Sequence, residues 1–178
     1  MKIQLVLHNI RSIYNVGAIL RTAEGLGVEC VIYSGYTPRY NDANLLPHLC
    51  EKLNRQIAKA ALGAEEMVSQ VAVADLPSWL AEQKAAGWTI IGLENNLAPD
   101  EATRKLVLGT PIKAEKVMLI LGEEVNGIPA DIRKNCDYFL EIAMVGRKES
   151  FNVSVATGIA VWGLQNKTLM TTTHFPHH

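Results

Sequence analysis

The chain has 178 residues and a formal net charge of −1. That length suits one domain with a sizeable core. The charge excludes a global pull on nucleic acid, so an RNA ligand would need a local basic patch. No apolar run reaches the roughly 18–20 residues of a membrane span, and the opening MKIQLVLHNIRS turns polar too soon for a signal peptide. Cys30, Cys50 and Cys136 are scattered, with no CxxC. They read as reduced thiols of a cytoplasmic protein, not as a disulfide frame or a zinc site. His174, His177 and His178 lie in a polar tail, and no metal-ligand cluster is expected.

In chain order, KIQLVLH alternates Ile3, Leu5 and Leu7 and reads as a strand. In the following YNVGAILRTAEGLG, Asn15 is the expected N-cap. Val16, Ile19, Leu20, Ala23 and Leu26 form one apolar stripe, and Gly25 and Gly27 end the helix. ECVIYS is a second strand, and residues 36–48 are a polar, proline-bearing loop. A helix covers 49–61, and VSQVAVA offers a further strand. Asp75 caps LPSWLAEQKAAG, with Gly87 as its stop. WTIIGLE and VMLILG are buried-type strands, PADIRKNC is a short helix and YFLEIAM a strand. Residues 152–166 form the last helix, and the remainder is a frayed tail. Strands alternating with helices predict an α/β fold with a mostly parallel sheet and helices on both faces. Such sheets bind ligands beyond the carboxyl ends of their strands. Those ends fall at Leu93 and Glu94, Gly122–Gly127 and Met144–Ser150.

Three constellations concentrate there. Arg21 lies five residues past Val16, about 140° around a helix turning roughly 100° per residue, and so points away from the core. Gly17, one turn earlier, permits a close approach to the helix. In LILGEEVNGIP, Gly122 and Gly127 bracket a turn, and Pro129 opens a short helix. This spacing is neither a Walker sequence nor a dinucleotide fingerprint. In KESFNVSVATG, Ser150, Asn152 and Ser154 precede a helix that is apolar over most of its circumference. Val155, Ile159 and Trp162 fill one face, and Ala156, Ala160 and Gly163 line a neighbouring one. A helix without a polar face is buried on more than one side, which predicts a second subunit against it. The extra polar residues are then free to serve a ligand at the helix N-terminus.

Taken together, NVGAILRTAEGLGV, LILGEEVNGIP and IAMVGRKESFNVSVATGIAVW resemble, in order, the three motifs of the SpoU (TrmH-like) branch of the SPOUT methyltransferases. The resemblance implies one SPOUT methyltransferase domain over 1–168, and the residues after it read as a flexible tail at 169–178. It implies a deep trefoil knot in the C-terminal part of the α/β fold, S-adenosyl-L-methionine held in the knot, and a homodimer whose site combines two chains. The implied reaction is methylation of a ribose 2′-hydroxyl in tRNA or rRNA. By position, Asn15, Arg21, Glu124, Ser150 and Asn152 match the family's catalytic residues. Gly122, Ile142 and Phe151 match its cofactor pocket, to which the strand ends add Leu93, Glu94, Gly127 and Met144. Two departures are visible: the family's Ile-Pro-Met is Ile142-Ala143-Met144 here, and its leucine is Phe151. Larger members carry an N-terminal RNA-binding domain, so here substrate capture is expected from the domain itself.

The chemistry needs the hydroxyl aligned with the methyl group, and no metal. The resemblance gives Arg21 the hydroxyl proton. Arginine holds its own proton tightly in proteins, so an electrostatic role toward a phosphate or a developing alkoxide is favoured, and a base role requires an unusual environment. Arg11, Arg39, Arg147 and Lys148 are the candidate phosphate contacts, and Tyr14, Tyr36 and Tyr40 are candidates to stack a base. A catalytically silent RNA-binding dimer of the same fold is the alternative reading.

Overall fold

The computed structural model describes residues 1–95, 97–109 and 112–166. The expected tail lies outside them. The strands are β1 (Lys2–His8), β2 (Cys30–Ser34), β3 (Ser69–Val73), β4 (Thr89–Leu93), β5 (Lys105–Val107), β6 (Lys116–Leu121) and β7 (Tyr138–Glu141). The helices are α1 (Ile13–Gly25), α2 (Pro47–Ala61), α3 (Ala64–Met67), α4 (Leu76–Ala85), α5 (Ala130–Arg133) and α6 (Val153–Gln165). All seven strands join one parallel sheet in the order β3-β2-β1-β6-β4-β7-β5.

Alternation sorts the strand side chains between two cores. Ile3, Leu5, Leu7, Leu119 and Leu121 face α1, α2, α3 and α6, and pack on Val16, Ile19, Leu20, Ile57 and Val161. Val6, Ile32, Met118 and Ile120 face the other way, onto Leu76 and Leu80 of α4 and Ile132 of α5. Period-two burial on both faces is what a parallel sheet between helix layers requires. The register then sets the site. Leu7 pairs with Leu121, and Leu121 with Leu93, so β1, β6 and β4 end at one level. Leu93 pairs with Leu140 of β7, which brings Ile142 to the same edge.

The elements expected from sequence are present, with these differences. Helix α1 is capped by Ser12, whose hydroxyl accepts from the Asn15 N–H at 3.3 Å; Asn15 is in the first turn, and its side chain is free to act elsewhere. The three-residue β5 and four-residue α3 are too short to impose a period on the sequence. Gly17 admits a helix rather than a ligand: a Cβ there would sit 2.5 Å from the Ile57 carbonyl oxygen and 2.8 Å from the Ala60 Cβ of α2.

The small stripe of α6 is also covered by its own chain. Ala160 is fully buried in the first core, and a Cβ on Gly163 would lie 2.4 Å from Leu108 Cδ1. The uncovered face is the other one, where Val155 and Trp162 are each 50% exposed. The packing of α1 on α2 makes one stability prediction. Gly17→Ala forces backbone and Cβ atoms apart and should lower stability by roughly 1–3 kcal/mol, read as a lower urea midpoint. An unchanged midpoint would contradict the observed helix separation.

Candidate active site

Beyond the carboxyl ends of β1, β6, β4 and β7 lies a cavity of about 460 Å³, within the range of small-molecule sites. Leu93, Leu121, Ile142, Val153 and Ala156 give it an apolar floor. Glu94, Asn95, Glu123, Glu124 and Asn126 stand on one rim, and Ser150, Phe151 and Asn152 on the other.

The rim after β6 is a tight turn pinned by its own backbone. The Glu123 N–H donates to the Gly127 carbonyl at 3.1 Å, and the Gly127 N–H donates back at 2.9 Å. Gly127 has φ +68, and a Cβ there would fall 2.2 Å from Glu94 Oε2. A Cβ on Gly122 would fall 2.3 Å from the Gly127 carbonyl carbon. Both glycines therefore serve the close crossing of this turn over its own strand end, and the turn presents residues 123–126 to the cavity. Glu94 fixes the turn from below, accepting from the Ile128 N–H at 3.1 Å and pairing with Arg133 at 3.3 Å. Arg133 in turn donates to Glu101 at 2.8 Å and lies 5.2 Å from the centre of the Phe139 ring. That guanidinium holds the Glu101 carboxyl down at about 2.

Glu124 ties the three sequence motifs together. Its carboxylate accepts from the backbone N–H groups of Arg11 and Ser12, at 3.2 and 3.3 Å, and from Asn15 Nδ2 at 3.0 Å. Asn15 Oδ1 accepts from Asn152 Nδ2 at 3.1 Å. Asn152 Oδ1 caps α6 by accepting from the Ser154 N–H at 2.9 Å. A hydrogen-bonded line thus runs from the start of α1 to the start of α6. Burial pushes the Glu124 pKa up, but the hydrogen bonds it accepts outweigh burial and hold it below the ordinary value.

Of the residues singled out in the sequence, Leu93, Glu94, Gly122, Gly127, Ile142, Phe151, Glu124, Ser150 and Asn152 line the cavity. Asn15 reaches it through Glu124 and Asn152. Met144 is half-buried in the loop before α6 and lies outside the cavity lining. Arg21 is exposed on α1, also outside the lining of its own chain's cavity. Arg11 pairs with Glu123 at 3.1 Å and Arg39 with Asp42 at 2.6 Å, while Arg147 and Lys148 are exposed. One residue missed in the sequence is Asn95. It donates to the carbonyls of Ile142 and Glu149 at 3.3 and 3.2 Å and accepts from the Ile142 N–H at 3.3 Å. These bonds clamp both ends of the loop over the cavity. Its only local signal is an amide side chain directly after a buried strand.

The Glu124 line has a measurable pH signature. Its folded pKa is depressed below 4.5, so the stability it contributes is present above about that pH and lost as pH falls through the lowered value. Glu124→Gln should flatten the acid limb of the stability profile in this window, measured by urea unfolding at stepped pH. A profile identical to wild type would show that Glu124 does not link the motifs.

Among the described residues, no group of three or more His, Cys, Asp and Glu could hold a metal ion, and no helix is long and apolar enough to cross a membrane. Residues 2–162 match the SpoU rRNA Methylase family. The 23S rRNA (guanosine-2′-O-)-methyltransferase RlmB of Pseudomonas aeruginosa is 32% identical over 158 residues, which are 89% of this chain and 56% of that protein. The chain thus spans about half the length of the curated relatives it matches. An AdoMet-bound rRNA methyltransferase from Sinorhizobium meliloti shares the fold at a TM-score of 0.75 and 24% identity, over 94% of this chain and 57% of that one. A chain solved for the 2-OH methylation of C/U34 on tRNA shares it at a TM-score of 0.71 and 20% identity, over 93% and 95% of the two chains. With its three motifs joined through Glu124, Asn15 and Asn152, the chain belongs to the SpoU rRNA Methylase family.

Proposed function

We propose that this protein transfers a methyl group from S-adenosylmethionine to a ribose 2′-hydroxyl of tRNA or rRNA, as a homodimer with shared sites. The observation that carries the reading is the Glu124–Asn15–Asn152 line, which holds all three family motifs around one cavity at the strand ends. The cavity suits the cofactor. Its apolar floor and Phe151 match a flat heteroaromatic ring, and the polar groups of its rim offer hydrogen-bonding partners to the rest of the cofactor. When bound, S-adenosylmethionine would supply an electrophilic methyl group on a sulfonium, with a neutral thioether as the leaving group. Leu93, Gly122, Ile142 and Phe151 would hold its ring. Ser150 and Asn152 orient the ribose, with Asn152 fixed by Asn15. The hydroxyl proton passes to water as the new C–O bond forms.

Arg21 is the electrostatic partner of the developing alkoxide in this reading. It stands outside its own chain's cavity, and in this reading it serves the partner's. The exposed Val155 and Trp162 on α6 support that arrangement, because α6 packs beside α1. A Cβ on Gly158 would lie 3.6 Å from Thr22 Cγ2, next to Arg21. Val155 and Trp162 form the centre of the dimer interface. The interleaving of β6 and β7 between earlier strands supports a knotted C-terminal part. Arg39, Arg147 and Lys148 contribute phosphate contacts, and a cytoplasmic location belongs to the same reading.

Two measurements test it. Labelled methyl transfer to total RNA should be robust with wild type, whereas binding of RNA without transfer identifies a silent dimer. Arg21→Ala should lower the rate roughly 100- to 1,000-fold while changing stability by less than about 0.5 kcal/mol. Mixed with Asn152→Ala chains under proven subunit exchange, it should regain activity; no regain places both residues in one chain's site. In light scattering, Trp162→Glu should give a folded monomer, since the side chain is half exposed in the single chain. Ala160 is unsuitable for this test because it is buried in its own chain's core. A wild-type monomer at micromolar concentration would end the dimer proposal.

A further inference from the structure

Glu123 occupies a position of no assigned role, yet three loops converge on it. Its backbone is locked by the double hydrogen bond to Gly127, and its side chain is only 14% exposed. The carboxylate accepts from Asn126 Nδ2 at 2.6 Å and from Arg11 at 3.1 Å. It also faces the phenol of Tyr36, from the loop after β2. Desolvation first, and then the Glu123 carboxylate, raise the Tyr36 pKa.

Tyr36 is itself held firmly but left uncovered. Tyr36 is 54% exposed, while its N–H donates to Asn9 Oδ1 at 3.2 Å. The same Asn9 oxygen occupies the space a Cβ on Gly35 would need, at 1.8 Å, and Gly35 has φ +62. On the other side, Thr37 is buried; its hydroxyl donates within reach of the Leu7 and Ser34 carbonyls, at 3.0 and 2.9 Å, and accepts from the Ile10 N–H. An aromatic ring whose backbone is fixed on both sides loses little freedom when something stacks on it. An open aromatic ring beside Glu123, which lines the cavity, is an arrangement by which proteins take up unpaired RNA bases.

We propose that Tyr36 is a stacking platform for the base of the nucleotide whose ribose reacts, with Glu123 as the positioning residue that holds Tyr36 and Arg11 on the cavity rim. This rests on the RNA methyl-transfer reading above. Stacking is tolerant of base identity, so the platform gives affinity and places the ribose without selecting the base. Arg11, paired on the same carboxylate and 58% exposed, is held where it can meet the adjoining phosphate.

The test is steady-state methyl transfer from labelled S-adenosylmethionine to total RNA from cells lacking the protein, beside calorimetry of S-adenosylmethionine binding. Tyr36→Ala should raise the KM for RNA roughly tenfold or more, with kcat and cofactor affinity within about twofold of wild type. Tyr36→Phe should retain most of the affinity because it keeps the ring. Glu123→Gln should raise KM as well, and its effect should shrink in the Tyr36→Ala background, since residues acting through one another are not additive. Thermal melting checks that each variant is folded. An unchanged KM in Tyr36→Ala, a loss confined to kcat, or fully multiplicative effects in the double variant would overturn the platform. Wild type that binds S-adenosylmethionine but methylates no RNA would overturn the underlying reading instead.

Discussion

A parallel strand cannot pair with its predecessor in sequence without a crossover, and β6 takes its place between two strands laid down much earlier. Lys116–Leu121 lies between β1 and β4, pairing with both along its length. This insertion brings the turn after β6 against the loop after β1 on one side and the residues after β4 on the other. Glu124 can then reach the backbone of Arg11 and Ser12, and Glu94 can reach Ile128 and Arg133. Remove the insertion and the two carboxylates have no partners. The order of the sheet is therefore prior to every contact at the site.

The site that results is polar in its supports and apolar in its floor. Carboxylates taken partly out of water are tolerable only when hydrogen bonds replace the lost hydration. Glu124 receives two backbone donors and one amide. Glu101 and Glu94 share Arg133. Among the described residues, no buried side-chain nitrogen or oxygen lacks a partner. These bonds are directional, so they fix the loops of the rim as well as stabilising charge. Asn95 does the same for the loop before α6 with a neutral amide.

Two kinds of close packing surround this network. At Gly17, Gly122 and Gly163 the missing side chain makes room for backbone or side-chain atoms of the same molecule. On α6 the opposite holds, because Val155 and Trp162 remain open to solvent in the single chain. A helix with no charged side chain from Val153 to Gln165 is stable only when both sides are covered. The first side is covered by the core residues around Ala160, Val161 and Leu164.

Local pattern alone determined a great deal here. The alternation in KIQLVLH, the stripe through Val16, Ile19, Leu20 and Ala23, and the cap at Asp75 each depend on neighbours a few residues away, so the sequence carried them. The three ordered motifs likewise located most of the cavity lining. The sequence could not decide that Ser12, not Asn15, caps α1, because both residue types cap well, and only the long-range bonds to Glu124 and Asn152 draw Asn15 elsewhere. Nor could it show that Gly17 and Gly163 face Ile57 and Leu108, that Asn95 clamps a loop about 50 positions onward, or that Glu123 pairs with Arg11. Those contacts join residues that only the crossover order makes neighbours. Local propensity does not encode the order in which parallel strands are inserted, and tertiary structure alone settled it.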